Sequence, residues 1–110
     1  MYYVTKRLEI SAAHRLELDY ESKCRNLHGH NWIVTVHCRA RELNHNGMVT
    51  DFSEIKRIVV DDLDHACLND KLPFNPTAEN IARHICELVP NCWRVDVQES
   101  EGNTASYEID

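Results

Sequence analysis

The segment from Trp32 to Ala40 constrains the fold most strongly, because its apolar and polar residues alternate. The even positions are all apolar, and the odd positions are polar apart from Ile33. Successive side chains of a β-strand point to opposite faces, so apolar residues at every second position form one continuous face. The segment is therefore predicted to be a β-strand with one buried face.

Weaker patterns predict three further strands. Residues that favour strands are concentrated between Tyr2 and Ile10. Apolar residues alternate with polar ones again over positions 93–98 and over 105–109, and a turn at Glu101–Asn103 lies between these two segments. The chain is therefore expected to contain four strands, which form a hairpin-like pair at each end.

Two helices are predicted between these pairs of strands. Apolar residues recur at three- and four-residue spacing over positions 52–63 and 78–89, which places them on one face of each helix. Residues at 51–53 and 76–77 can begin and cap the two helices. The order strand, strand, helix, helix, strand, strand predicts an α+β fold, an antiparallel four-stranded sheet with two helices on one face.

The length and the net charge of the chain limit its domain number and its possible partners. The 110 residues suffice for one domain over positions 1–110. A formal net charge of −6 would repel the phosphate backbone of a nucleic acid, and the basic residues are scattered. No apolar run is long enough to cross a bilayer, and the N-terminus does not have the order of a secretory signal. A cytoplasmic protein without nucleic-acid or membrane partners is expected, and the open edges of a small sheet predict a homo-oligomer.

The cysteines divide into two groups. Their odd number, five, in a chain without an export signal argues against a complete disulfide framework. Four of them lie in or beside apolar patterns and are interpreted as small buried side chains. These four are Cys38, Cys67, Cys86 and Cys92. Cys24 lies outside any such pattern and between Lys23 and Arg25, a setting that is typical of reactive thiolates.

Three histidines are spaced so that their side chains can meet. His28 and His30 are two residues apart, and in an extended chain such residues point to the same side. His14 follows small residues that let a first strand lie close to its neighbour. Three neutral histidines are a standard catalytic zinc set that leaves one coordination position free, so the sequence predicts zinc at these three residues. Three other histidines are interpreted as structural: His37, His45 and His84.

The role of Cys24 has two interpretations. It lies four residues before His28, so its thiolate is expected near the metal. As a fourth zinc ligand it would close the site and make it structural, whereas beside the metal it would act as a base. Sequence spacing leaves both interpretations open.

Three other groups of polar residues are also ambiguous. Asp64–His65 follows the first predicted helix and is either a proton relay or a helix-end histidine. Glu99 continues the parity of apolar positions 93, 95 and 97, so either it binds a ligand or the strand has already ended. Thr77 and Glu79 are interpreted as the start of the second helix.

Together these residues resemble the 6-pyruvoyl-tetrahydropterin synthase family over nearly the whole chain. The Cys-x-x-x-His-Gly-His block is specific, and it occurs together with an Asp-His and a Thr-x-Glu-Asn block. All motifs that carry the resemblance stand in the correct order. They are Ser11–His14, Cys24–Asn31, Gly47–Phe52, Leu63–Asn69, Pro76–Asn80 and Glu99.

The resemblance implies an architecture and an assembly. It implies the tunnelling fold, in which the four-stranded sheets of several subunits join into a barrel and active sites form between subunits. The homo-oligomer would be based on trimers, a hexamer being one form.

The resemblance also implies a substrate and residue roles. The substrate is a pterin, 7,8-dihydroneopterin triphosphate, and zinc is bound at the three histidines named above. By the same resemblance Cys24 is the proton acceptor, His65 and Glu99 act as a charge relay, and Asp64 supports His65. Glu79, with Thr77, anchors the pterin ring.

Within the family, the short length and the intact cysteine motif resemble the bacterial 6-carboxy-5,6,7,8-tetrahydropterin synthases. These release acetaldehyde and triphosphate in the synthesis of queuosine and other 7-deazapurines. The alternative within the family is the 6-pyruvoyltetrahydropterin synthase reaction of biopterin synthesis, which eliminates triphosphate and keeps the carbon side chain. An alternative of another class is a zinc-stabilised binding module in which Cys24 completes a closed site.

Overall fold

The four predicted strands are all present in the computed structural model, which describes residues 1–110. β1 spans Tyr2–His14 and pairs antiparallel with β2, which spans His28–Ala40, along the whole length of both. On the other side of β2 lies a strand over Cys92–Ser100, and a last strand over Asn103–Glu108 pairs with it, both antiparallel. The strand predicted from alternation is therefore central to the sheet.

The sheet has a fifth strand, so the predicted number of four is wrong. β3 spans Ala66–Cys67 and runs parallel to β1 beside Ala12–Ala13. With β4 for Cys92–Ser100 and β5 for Asn103–Glu108, the order is β3-β1-β2-β4-β5. Two residues are too few to show an alternating pattern. Tertiary contact creates this strand, because the His65 N–H donates to the carbonyl of Ser11 at 2.7 Å and brings the chain alongside β1.

Both predicted helices are present, and a third helix of one turn was not predicted. α1 spans Phe52–Leu63, α2 spans Leu68–Lys71 and α3 spans Ala78–Leu88. The Asp51 carboxylate accepts a hydrogen bond from the Ser53 N–H and caps α1. The helices are too short and too polar to cross a membrane.

The core lies between the helices and one face of the sheet. The even positions of β2 from Trp32 to Cys38 are fully buried, together with Val95 and Val97 of β4. They form one cluster with the buried faces of α1 and α3. Burying each large apolar side chain there contributes about 1.5–3 kcal/mol. Three of the four cysteines interpreted as apolar are buried, and the fourth, Cys67, is half-buried.

Trp93 does not lie on the buried face that its parity predicts. The β2–β4 register shifts by one residue, because Cys38 lies opposite Cys92 while His37 lies opposite Arg94. Trp93 is therefore the extra residue of a β-bulge. Its ring lies beside the His37 ring, with 6.0 Å between the ring centroids, while Cys92 takes the buried position.

A polar network surrounds Asp96 on the face of the sheet away from the helices. The carboxylate accepts hydrogen bonds from His37 Nε2 at 2.7 Å, from Arg94 Nε at 3.0 Å and from the Ser106 hydroxyl. Burial raises the pKa of Asp96, but hydrogen bonds from Ser106, His37 and Arg94 outweigh it and hold the pKa below its usual value. The charged carboxylate therefore stabilises the folded state.

The Asp96→Asn variant is expected to lose about 1–3 kcal/mol of unfolding free energy at pH 7. Because the folded-state pKa is depressed, this stabilisation is complete above the unfolded value of about 3.9 and is lost as the pH falls through the folded value. The difference between wild type and variant should therefore shrink below about pH 4, as measured by urea unfolding across pH. An Asp19→Asn control, at an exposed carboxylate, should show no difference, and a pH-independent gap at position 96 would contradict the prediction.

Candidate metal centre and active site

Three imidazoles meet where β1 ends and β2 begins. His14 is the last residue of β1 and lies directly opposite His28, the first residue of β2, and His30 follows on the same face. The ring centroids are 4.6 Å apart for His14 and His28, 5.1 Å for His14 and His30, and 4.8 Å for His28 and His30. One ring nitrogen of each lies within 4.8 Å of the others. Antiparallel pairing thus assembles the predicted trio.

Main-chain carbonyls orient two of these rings. His14 Nδ1 lies 2.8 Å from the carbonyl oxygen of Pro76, and His28 Nδ1 lies 2.7 Å from that of Asn26. A carbonyl oxygen can only accept, so each Nδ1 carries the proton and donates it. The Nε2 lone pair of both rings is therefore available to a metal ion.

Burial makes the trio a fitting metal site. His14 is fully buried, and the Nε2 atoms of His14 and His30 are buried without a hydrogen-bond partner. An unpartnered buried acceptor costs about 1–3 kcal/mol, which a bound cation would offset. Burial lowers the pKa of both histidines, although the charge of Glu99 acts in the opposite direction. Neutral imidazoles are the form that binds metal, so this cluster could hold a metal ion.

Glu99 lies beside the imidazoles at the end of β4. Its Oε1 is 3.3 Å from His14 Nε2 and 3.6 Å from His30 Nε2. β4 continues to Ser100, so the interpretation that the strand has already ended at Glu99 is wrong. The carboxylate lines two adjoining cavities and faces the site.

Cys24 is held by a short 3-10 helix over Lys23–Arg25. The Ser22 hydroxyl caps this helix by accepting the Cys24 N–H at 3.1 Å. Cys24 lines a cavity of about 280 Å³ with His28, His30 and Glu99. The group of convergent donor atoms comprises the three imidazoles and not the Cys24 sulfur. The thiol therefore lies next to the candidate metal centre.

Thr77 and Glu79 line the second cavity, of about 440 Å³, which also contains Glu99. The Thr77 hydroxyl accepts the Asn80 N–H at 3.2 Å, so Thr77 is the cap of α3, and Glu79 lies in its first turn. The interpretation of both as a helix start is confirmed. Their position in this cavity also leaves Glu79, an exposed carboxylate, free to meet a ligand.

Asp64 and His65 lie apart from Cys24. His65 Nδ1 is 3.0 Å from the Asp64 carboxylate, and the His65 side chain is 82% exposed. Asp64 accepts the Ser11 N–H at 2.8 Å, and this hydrogen bond is the main cause of its lowered pKa. The cavity that His65 lines contains neither Cys24 nor Glu99. His65 shares that cavity with His30, so a single chain leaves this pair apart from Cys24 and Glu99 but not from every predicted site residue.

Two asparagines that shape the site were missed by sequence reasoning. The Asn69 carboxamide binds the N–H and the carbonyl of Arg15, at 2.8 and 2.9 Å, and the Asn75 carboxamide binds those of Glu17, at 2.9 and 3.1 Å. These bonds hold the segment that follows His14. The partners are 54 and 58 residues apart in sequence, so no periodic pattern marks them.

The sequence is similar to a family model and to named relatives. The model of the 6-pyruvoyl tetrahydropterin synthase family matches residues 3–110. A 6-carboxy-5,6,7,8-tetrahydropterin synthase of Synechocystis sp. is 36% identical over 121 aligned residues, which cover 97% of this chain and 93% of the relative. The enzyme of the same name from Bacillus subtilis is 29% identical, with 96% and 84% covered.

The fold is also similar to that of solved protein structures. The 6-pyruvoyl tetrahydropterin synthase of Caenorhabditis elegans has a TM-score of 0.77 and 28% identity, covering 99% of this chain and 96% of that chain. The enzyme of the same name from Plasmodium vivax, at 18% identity and a TM-score of 0.68, shares the fold, with 100% and 99% covered. The chain therefore belongs to the 6-pyruvoyl tetrahydropterin synthase family.

Proposed function

We propose that this chain is a zinc enzyme that converts 7,8-dihydroneopterin triphosphate and water to 6-carboxy-5,6,7,8-tetrahydropterin, releasing acetaldehyde and triphosphate. The observation that carries the proposal is the convergence of three imidazoles beside a cavity that is also lined by a thiol. Relatives named for this product support the choice within the family. The product would serve the synthesis of queuosine and other 7-deazapurines in the cytoplasm.

Zinc is proposed at the Nε2 atoms of His14, His28 and His30. When bound there it supplies a Lewis acid that polarises the side-chain oxygens of the substrate. The fit rests on the buried, unpartnered Nε2 atoms of His14 and His30 and on the Nδ1 hydrogen bond that fixes the tautomer of His28.

Cys24 is proposed as the base. Its thiolate would remove a proton from the carbon next to the polarised oxygen, which requires the thiolate and the metal to face the same side of the substrate. Cys24 shares a cavity with His28 and His30, and the capped 3-10 helix fixes the thiol there. The acid–base role also fits a thiol that is not among the convergent metal donors.

Glu79 and Thr77 are proposed to anchor the pterin ring. A carboxylate accepts two parallel hydrogen bonds from the amino-pyrimidine edge, which sets the orientation of the ring. Both residues line the cavity that adjoins the imidazoles through Glu99. The ring would then lie in this cavity, and its side chain would reach the metal centre.

His65, supported by Asp64, is proposed to act with Glu99 as a charge relay. Because His65 is 82% exposed and lies outside the cavity of Cys24, we propose that it completes the site of a neighbouring subunit. The edge strand β5 and the part of β1 beyond β3 can pair with other copies, so a trimer-based homo-oligomer with a barrel of joined sheets is part of the proposal.

Incubation of the zinc-loaded protein with 7,8-dihydroneopterin triphosphate, followed by mass spectrometry, tests the reaction. The expected products are acetaldehyde and a tetrahydropterin that carries a one-carbon acid. A retained three-carbon dicarbonyl chain would instead assign the 6-pyruvoyl reaction, which the similarity to the Caenorhabditis elegans enzyme favours. Absence of any conversion, under conditions in which an established synthase turns over, would contradict both reactions.

A further inference from the structure

Lys23 is the one lysine or arginine on the two cavities that share Glu99, and their only other basic side chains are the proposed metal ligands His28 and His30. The carboxylates of Glu79 and Glu99 line the same space, and the whole chain carries a formal net charge of −6. An anionic substrate is therefore repelled by its surroundings except near the metal centre and near this ammonium group.

Unlike the nearby Arg15 and Arg25, Lys23 forms no salt bridge. Arg25 pairs with Glu21 at 3.2 Å and Arg15 pairs with Glu17 at 3.6 Å, whereas Lys23 has no carboxylate within ion-pair distance. The Lys23 ammonium group is thus available to an anion without first breaking a salt bridge.

The backbone of Lys23 is fixed beside the reacting groups. Its carbonyl accepts the Asn26 N–H at 3.0 Å, and the same 3-10 helix carries Cys24 as the next residue. Asn26 in turn holds the ring of His28 through its own carbonyl. One short segment therefore positions the ammonium group, the thiol and a candidate metal ligand.

We propose that Lys23 binds the triphosphate of the substrate and is the residue that favours a triphosphorylated pterin over an unphosphorylated one. The proposal rests on the proposed function. An ammonium group donates up to three hydrogen bonds to phosphate oxygens and neutralises part of their charge. Lys23 is thus a positioning residue that holds the leaving triphosphate at the rim of the Cys24 cavity.

A second role for Lys23 must be separated in the experiment, because its charge also acts on Cys24, the next residue. A change in kcat alone would not distinguish stabilisation of the thiolate from binding of the triphosphate. Binding is therefore measured in the zinc-loaded Cys24→Ala protein, in which no thiolate exists at position 24 and turnover is expected to be strongly reduced.

The test compares dissociation constants of 7,8-dihydroneopterin triphosphate and 7,8-dihydroneopterin by titration calorimetry. In the Cys24→Ala background, Lys23→Ala is expected to weaken binding of the triphosphate by roughly ten- to a hundredfold and to leave binding of 7,8-dihydroneopterin unchanged. Lys23→Arg should recover most of the affinity. Arg25→Ala, which removes a neighbouring cation already paired with Glu21, should change neither constant.

The outcomes separate this inference from the proposed function. Equal affinity of the Lys23→Ala protein and its parent for the triphosphate overturns the inference, and so does an equal loss for both pterins. If both pterins bind and only the role of Lys23 fails, the proposed function stands. If neither pterin binds the parent protein while it retains zinc, the proposed function fails, and the inference fails with it.

Discussion

The Cys24→Ala variant is expected to keep its zinc and to lose turnover by roughly 10²–10⁴-fold, the range in which a positioned acid or base contributes to a reaction rate. The thiol lines the cavity beside His28 and His30 and is outside the group of convergent donors, so its removal leaves the three imidazoles in place. Steady-state kinetics together with metal analysis of the purified variant measure both quantities. A Cys86→Ala control, which removes a buried thiol of α3 that lines neither cavity of the site, should keep kcat near that of the wild type.

Metal analysis also decides between an enzyme and a binding module. If Cys24→Ala loses zinc stoichiometrically, the sulfur is a fourth ligand and the site is closed. The base assignment would then be wrong, and a zinc-stabilised module would describe the chain better.

Removal of zinc by a chelator is expected to abolish turnover and to leave the secondary structure intact. The hydrophobic cluster of 21 buried residues extends over the sheet and all three helices and includes none of the three imidazoles, so most of the folding free energy does not depend on the metal. Activity, far-UV circular dichroism and zinc content before and after chelation provide the measurement. Restored activity on re-addition of zinc would show that the loss is reversible.

The His28→Ala variant should reproduce the effect of chelation. It removes one of the three proposed ligands from a partly exposed position, so zinc binding and turnover are expected to be lost while the fold is kept. His45→Ala, in an exposed loop, is the matched control and should retain both. Loss of the circular dichroism spectrum on chelation would contradict the prediction, because structural zinc domains unfold without their metal.

The periodicity of apolar residues predicted the strands and helices that bury one regular face. The alternation that begins at Trp32 identified β2, and three- and four-residue spacing identified α1 and α3, because each of these elements buries one face. The same reasoning failed at Trp93 and at Ala66–Cys67. A bulge shifts parity by one residue, and a two-residue strand exists only because of its hydrogen-bonded neighbour, so neither feature has a local pattern.

In the candidate site, too, some contacts follow from local sequence spacing and others depend on the tertiary fold. The approach of His28 to His30 follows from two-residue spacing in one strand, and sequence alone could predict it. The position of Glu99 against His14 depends on the order of strands in the sheet and on a register irregularity after Gln98. The sequence could suggest that Glu99 has a function, but the arrangement of the strands determines which side chains the Glu99 carboxylate contacts.

The carbonyl group that holds the His14 ring belongs to Pro76, the residue immediately before the cap of α3. Two consecutive residues therefore serve the site in different ways. The Pro76 carbonyl orients the buried His14 ring, and Thr77 lines the neighbouring cavity. A replacement of the side chain at position 76 leaves this oxygen in the molecule, and acid does not protonate it in the ordinary pH range. The hydrogen-bond partner of His14 is thus retained when the side chain at position 76 is replaced, whereas a ligand that displaces the start of α3 would also displace this partner.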